Sequence, residues 1–485
     1  MSKRLHLIGF AALLMVACLL STTWPAIVAE EGVIYYILTE DNEITLRYPI
    51  RMGGEVLTRE VFETLMIHKV DRLNEIAEKY GAKWTHMTAV GPWFMARYAE
   101  EQSADWEGLY DALIEQVRRG SAAGHEYAVH PHAHWDPRTS LNAAIWDPEK
   151  NGFVDSWEDY LSWTMGFMKV GDFDDLESSA GYLYDHKRRI MEITRRETVV
   201  HRSGGWQFGN TPEQQIISLT ALKMNGILAN SDADANLTLS GNAGRPFQES
   251  TYFTAIDSIN ERSVSSKEYG TLEFTPNPLP ILSFESNSLA QLNQKVDQAV
   301  AAYTDRSGRI KPGIHFITGF GHAKNIMGGD GTWSSLEGGQ FDVIDQHLAY
   351  VFEKYVNIEK PLIRFATATE AVLEYYDYYS ERPVAVRGDE ERQVADRFFE
   401  YPIRVLGRFG PEFAEAEVQP PIWWDARTDI AKVEILEGGE VIAVHDRFES
   451  SYPYLAFPVK PRTKDQSSKD FNYSMRVYLT ESAPI

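Results

Sequence analysis

From residue 33 to about 380 the chain alternates short apolar runs with longer stretches of helical periodicity, and this restricts its fold more than any other feature. "VIYYILT" (33–39) reads as a buried strand. "TREVFETLMIHKVDRLNEIAEKYG" (58–81) follows with helical spacing, a Thr N-cap and a closing glycine. "KWTHMT" and "DWEGLYDALIEQVRRG" repeat the pair, and "EYAVH" is the third strand. After about sixty residues that break the pattern, "TVVHRSGG", "TPEQQIISLTALKMNG", "GILANSD", "TLEFTPN", "SLAQLNQKVDQAVAAY", "GIHFITGFGH" and "IRFATATEAVLEYY" resume it. Strands joined by helical crossovers run parallel, because each crossover returns the chain to the same end of the sheet. The expectation is an α/β chain folded as a distorted (β/α)7–8 barrel. No glycine-rich phosphate loop follows the first strand, so a dinucleotide fold has no support.

Past about 381 the character changes. "AKVEILEGGEVIAVHD" is a hairpin signal turning on Gly438–Gly439, and "PIRVLGRF" and "YSMRVYLTE" are further strands. These predict a C-terminal all-β sandwich over 386–485, after a barrel over 30–385. The first 29 residues have the layout of a secretory signal peptide: Lys3 and Arg4, an apolar run from Leu5 to Leu20, then small residues ending at Ala29. A secreted or periplasmic protein with no lasting membrane insertion is expected. "MVAC" resembles a lipoprotein signal at Cys18, but Leu19 and Leu20 continue the apolar run where such a signal turns polar.

Cys18 is the only cysteine, so the mature chain offers no thiolate, and any metal must be held by His, Asp or Glu. The net charge of −23 disfavours nucleic acid and anionic membranes as partners. In a β/α barrel, functional side chains stand where strands end at the C-terminal face. The predicted strand ends here share a polar character: Glu40, Asp41 and Glu43; His130, His132 and His134; Arg202 and Trp206; Asp232; and His322. "GHEYAVHPHAHWDP" (124–137) holds four of the chain's 13 histidines. His130 and His134 with Asp41 would form a site of two histidines and one carboxylate, which leaves positions open for water and substrate. Pro131 disfavours helix at His130, so the pair belongs to a strand end and not to a helical metalloprotease motif.

With these residues in place, the chain resembles the polysaccharide deacetylases of the carbohydrate esterase family 4 type over about 33–380. "GHEYAVHPHAH" is similar to the family's second motif, which implies one divalent metal, zinc before others, on His130 and His134. "HRSGGW" is similar to the third, implying that Arg202 orients the catalytic carboxylate and that Trp206 walls the groove. "NSDAD" is similar to the fourth through Asp232. "GFGHAK" is similar to the fifth, implying His322 as general acid with an acidic neighbour such as Asp232. The first motif departs from the pattern. In "LTEDNE" a one-residue slip makes Glu40 the base and Asp41 the ligand, and is preferred. Without the slip Asp41 is the base and Asn42 or Glu43 reaches the metal. His132 is open between a site-facing residue and a substrate contact, and Trp135, Trp146, Trp157 and Trp163 are candidate sugar-binding rings. The implied activity is removal of N-acetyl groups from an amino-sugar-containing glycan. A metal-dependent O-acetyl esterase and a non-catalytic glycan-binding barrel are the alternatives.

Overall fold

The computed structural model describes residues 32–44, 56–155, 167–206, 208–209, 211–232, 251–274, 276, 282–463, 466 and 472–484. The expected signal peptide, Trp157 and Trp163 lie outside them.

Nine strands form one sheet: β1 (Val33–Asn42), β2 (Trp84–Thr88), β3 (Glu126–Val129), β4 (Val200–His201), β5 (Ala229–Asn230), β6 (Thr251–Phe253), β7 (Leu272–Phe274), β8 (Ile314–Gly319) and β9 (Ile363–Phe365). Their order is β8-β1-β2-β3-β4-β5-β7-β6, with β9 also pairing β1. All pairs are parallel except β6 with β7. An extended segment, Leu282–Phe284, adds to the free edge of β8. Phe284 N–H donates to Phe320 O at 2.8 Å and Phe320 N–H to Leu282 O at 2.9 Å. The two edges of the sheet curl towards each other in a nearly closed barrel.

The crossovers are α1 (Lys69–Glu78, extended backwards by one π turn and a short helix from Arg59), α2 (Gly91–Gln102), α3 (Leu109–Ala122), α4 (Ser179–Thr194), α5 (Pro212–Met224), α6 (Leu289–Tyr303), α7 (Gly339–Val351) and α8 (Ala368–Tyr379). Three of these helices start on capping boxes: Thr211 with Gln214, Ser288 with Gln291, and Thr367 with Glu370. Ile34, Tyr36 and Leu38 of β1 pack outward on Val70 and Leu73 of α1, Val296 of α6 and Ile344 of α7. Tyr35 and Ile37, the alternate residues, face inward with Met87, Ala128, Val200 and Phe316. Each large apolar side chain sealed in this way contributes roughly 1.5–3 kcal/mol. Among the described residues no helix is long and apolar enough to cross a membrane.

The C-terminal part is antiparallel. The strands β10 (Val384–Arg387), β12 (Phe398–Leu406), β17 (Tyr473–Leu479), β14 (Ile430–Glu437) and β15 (Glu440–His445) form one sheet in that order, with β11 (Arg392–Ala395) on β12. A separate ribbon pairs β13 (Glu415–Val418) with β16 (Leu455–Pro458). Both contribute to one apolar cluster, including Tyr401, Val433, Val477, Val418 and Phe457, and Tyr184 and Met191 of α4 join it from the barrel. Beneath that contact Glu197 accepts from Lys187 at 2.7 Å and from Arg387 at 3.0 Å, all three side chains being buried.

Candidate active site

Successive side chains of a strand point to opposite faces. The inward phase of Tyr35 and Ile37 in β1 therefore continues through Thr39 and Asp41 and, just past the strand end, Glu43. Glu40 falls in the outward phase of Ile34, Tyr36 and Leu38. It meets His86 of β2, whose Nδ1 lies 2.6 Å from Glu40 Oε1, while His86 Nε2 lies 2.8 Å from Asn74 Oδ1. Burial pushes the Glu40 carboxyl up to about 8 and the His86 imidazole down to about 3. The pair is thus neutral, with a protonated Glu40 donating to His86 Nδ1 and His86 Nε2–H donating to Asn74.

Inside the barrel mouth Glu43, His130 and His132 converge, all buried. The Nε2 atoms of the two histidines stand 3.1 Å apart. Glu43 Oε2 is 3.3 Å from His130 Nε2 and also contacts His132 Nε2. Two imidazole nitrogens facing one another need a proton or cation between them. Two nitrogens each about 2.05 Å from a tetrahedral zinc stand roughly 3.3 Å apart, so the observed spacing fits such an ion. Three local features create the arrangement. The His130 and His132 rings, on either side of Pro131, pack edge to face with centroids 4.7 Å apart. His130 Nδ1 pairs with Arg202 O at 2.8 Å, which aims its Nε2 into the cluster. Gly204 makes room for the His132 ring, since a Cβ there would lie 2.4 Å from His132 Cε1.

Next to this donor set stands Asp41. Arg202, fully buried, donates from Nη1 to Asp41 Oδ1 at 2.7 Å, and from Nη2 to Thr39 Oγ1 at 2.9 Å and Ser231 Oγ at 3.0 Å. Asp41 Oδ2 faces His130 Nε2 at 3.8 Å and His322 Nε2 at 3.6 Å. Burial alone would raise the Asp41 carboxyl, but Arg202, His130 and His322 outweigh it and hold it below the usual range. For Glu43 the same contest is won by Lys324 and His132, which keep it well below that range. His322 is half-open to solvent, and its Nδ1 and backbone N–H both lie 2.9 Å from Glu285 Oε2. Bonding and charge from His322 hold Glu285 ionised against its burial. The turn Ala323–Asn325 that follows His322 carries Lys324, whose Nζ contacts Glu43 Oε1.

The site therefore differs from the expectation at several residues. Glu40 is on the far side of β1 and does not reach the cluster, whereas Asp41 and Glu43 both face it. His134 is replaced by His132 in the donor set, because the 3₁₀ turn Ala133–Trp135 carries His134 onto the Trp135 ring, 4.5 Å away. Asp232 does not touch His322. Both its oxygens accept from Ser203 N–H, at 3.0 and 2.9 Å, and burial pushes it up to about 6. The partner of His322 is Glu285, at the end of Leu282–Phe284, where no motif marks it. Trp135 is buried and stacks on His132 at 4.2 Å, so it supports a donor and offers no face to a sugar. Trp146 packs on Trp106 and Phe153. The Trp206 side chain lies outside the described part. Arg202, Asp41, His130 and His322 stand together as expected.

No protein-family model matches the chain, and no curated protein does. Among solved structures, it is similar to a chain from Pseudomonas aeruginosa PAO1 described as a polysaccharide deacetylase. The identity is 12%, over 73% of this chain and 93% of that one, at a TM-score of 0.38. A chain from Mycobacterium smegmatis described in the same terms is similar at 12% identity over 73% and 92%, with a TM-score of 0.36. The 4-alpha-glucanotransferase of Thermococcus litoralis is similar at 10% identity over 70% of this chain and 40% of that one, with a TM-score of 0.36.

Proposed function

We propose that this protein is an exported, metal-dependent deacetylase that removes N-acetyl groups from an amino-sugar-containing glycan. One observation carries the reading: Asp41, ionised and clamped by Arg202, stands between the Glu43–His130–His132 donor set and His322. Glu43, His130 and His132 would hold a divalent ion, zinc fitting two imidazoles and a carboxylate, and it would lower the pKa of water and polarise an acetyl carbonyl. Arg202 occupies Asp41 Oδ1, which leaves Oδ2 to take a proton from the attacking water. His322 is held at Nδ1 by Glu285 and keeps Nε2 between Asp41 Oδ2 and Glu43 Oε1, in place to protonate the departing amine. The C-terminal sheets, read as a sandwich around their shared cluster, buttress α4 and the barrel wall.

The test is acetate release from oligomers of N-acetylglucosamine by the full-length protein. Chelation should abolish it and zinc restore it, and Asp41→Asn should lower kcat about 100- to 10,000-fold with metal content unchanged. Acetate release that survives both chelation and Asp41→Asn would exclude the mechanism.

A further inference from the structure

The turn after His322 is tied down at each of its residues. Lys69 of α1, buried, donates from Nζ to Lys324 O at 3.3 Å and to Ile326 O at 2.6 Å. Among the described residues no carboxylate pairs with it. Glu40 Oε2 accepts the Ala323 N–H at 3.1 Å from the outer face of β1, and Asn325 Nδ2 donates to Glu285 Oε2 at 2.9 Å. Burial pushes the Lys69 ammonium down to about 7, and what its Nζ holds is the backbone of this turn. The one charged side chain the turn sends into the donor cluster is Lys324, whose ammonium lies 5.7 Å from the Trp135 ring centroid and against Glu43 Oε1. The two oxygens of Glu43 are thereby divided: Oε1 contacts Lys324 and faces His322 Nε2 at 3.5 Å, and Oε2 goes to His130 and His132.

We infer that Lys324 is a positioning residue for the donor set: it engages Glu43 Oε1 so that Oε2 alone is offered beside the two histidines, and Lys69 and Glu40 hold the turn that puts Lys324 there. This rests on the metal-binding reading given above and names how its carboxylate is oriented. A lysine suits the task because its ammonium is a compact point charge. The planar fork of an arginine would take both carboxylate oxygens.

The experiment is titration of the metal-stripped full-length protein with Co2+, read by calorimetry and by the visible absorption of the bound ion, with circular dichroism as a check on folding. The wild type should bind one ion, and Glu43→Gln should abolish the site. Lys324→Met should bind about 10- to 100-fold more weakly. Its absorption should also shift, because Glu43 is then free to offer both oxygens. Lys69→Met keeps Lys324 but unties its turn, and should shift the spectrum in the same direction with a smaller loss of affinity. A wild type that binds no Co2+ overturns the metal reading and this inference together. If the wild type binds and Glu43→Gln does not, then wild-type affinity and spectrum in Lys324→Met overturn the inference alone. So does tighter binding with an unchanged spectrum, which would make Lys324 a mere repelling charge. Should Lys324→Met not fold, Lys69→Met decides: wild-type affinity and spectrum there refute the inference.

Discussion

Gly204→Ala isolates the space that the His132 ring occupies. The φ of Gly204 is not in the left-handed region, so alanine is compatible with the backbone and only the added methyl matters. That methyl would lie 2.4 Å from His132 Cε1 and 2.6 Å from both ring nitrogens. Carbon pairs rest at about 3.5–4.0 Å, so the overlap exceeds about 1 Å. The ring cannot simply retreat, since one face stacks on Trp135 at 4.2 Å and Nε2 is engaged by Glu43. Overpacking of this kind costs about 1–3 kcal/mol. On the scaling for domains of 150–250 residues, that is a fall in Tm of about 2–12 °C for the metal-stripped protein. The displaced Nε2 should also weaken zinc, so that Gly204→Ala approaches the affinity of His132→Ala in a competition titration. In the His132→Ala background the methyl enters vacated space and should cost less than about 0.5 kcal/mol, a coupling of about 1–3 kcal/mol between the two sites. Equal destabilisation in both backgrounds, or an unchanged zinc affinity in the single variant, would refute the steric argument.

Glu40 should set a pH slope in stability. Its carboxyl is ordinarily near 4.5 and is pushed up to about 8 by burial, so its contribution is full below about 4.5 and is lost as pH rises through about 8. Tm measured across that window should therefore decline less in Glu40→Gln than in the wild type; parallel slopes would show that Glu40 is not the group responsible. Glu285→Gln removes the anion that holds His322 and should lower kcat more than it raises KM, with zinc content unchanged; loss of zinc instead would place Glu285 among the donors. Glu197→Gln leaves Lys187 and Arg387 buried without their shared anion, which should cost about 3–5 kcal/mol and expose the 388–396 region to limited proteolysis. An unchanged melting curve and digestion pattern would refute that role.

The barrel was legible because its strands and helices differ in period, and the strand ends announced Asp41, His130, Arg202 and His322. The errors have specific causes. Sliding the first motif by one residue keeps a carboxylate in each role on paper, but it rotates Glu40 and Asp41 to opposite faces of β1 in space. The pairing of His130 with His134 follows motif spacing. The turn at Ala133–Trp135 carries His134 onto the Trp135 ring and leaves His132 beside His130 and Glu43. Glu285 follows a three-residue extended segment too short to show periodicity, and its one outward sign is the capping box at Ser288 just downstream. Lys324 carries no signal in the sequence, because nothing in "GHAK" reveals that Lys69, far away in the chain, holds its carbonyl.

The pairing of β1 has a consequence for how the molecule assembles. β2 and β3 and the donors Glu43, His130 and His132 are all made early, so a cation can be captured before the rest of the site exists. The other edge of β1 is filled by β8, from Ile314, and β9, from Ile363. Until those residues leave the ribosome, Val33–Leu38, an unbroken apolar strand, presents unpaired backbone to any other chain. Arg202 and Lys324, which neutralise Asp41 and Glu43, also arrive late. Slow or interrupted synthesis between about 140 and 365 should therefore yield aggregation nucleated at β1.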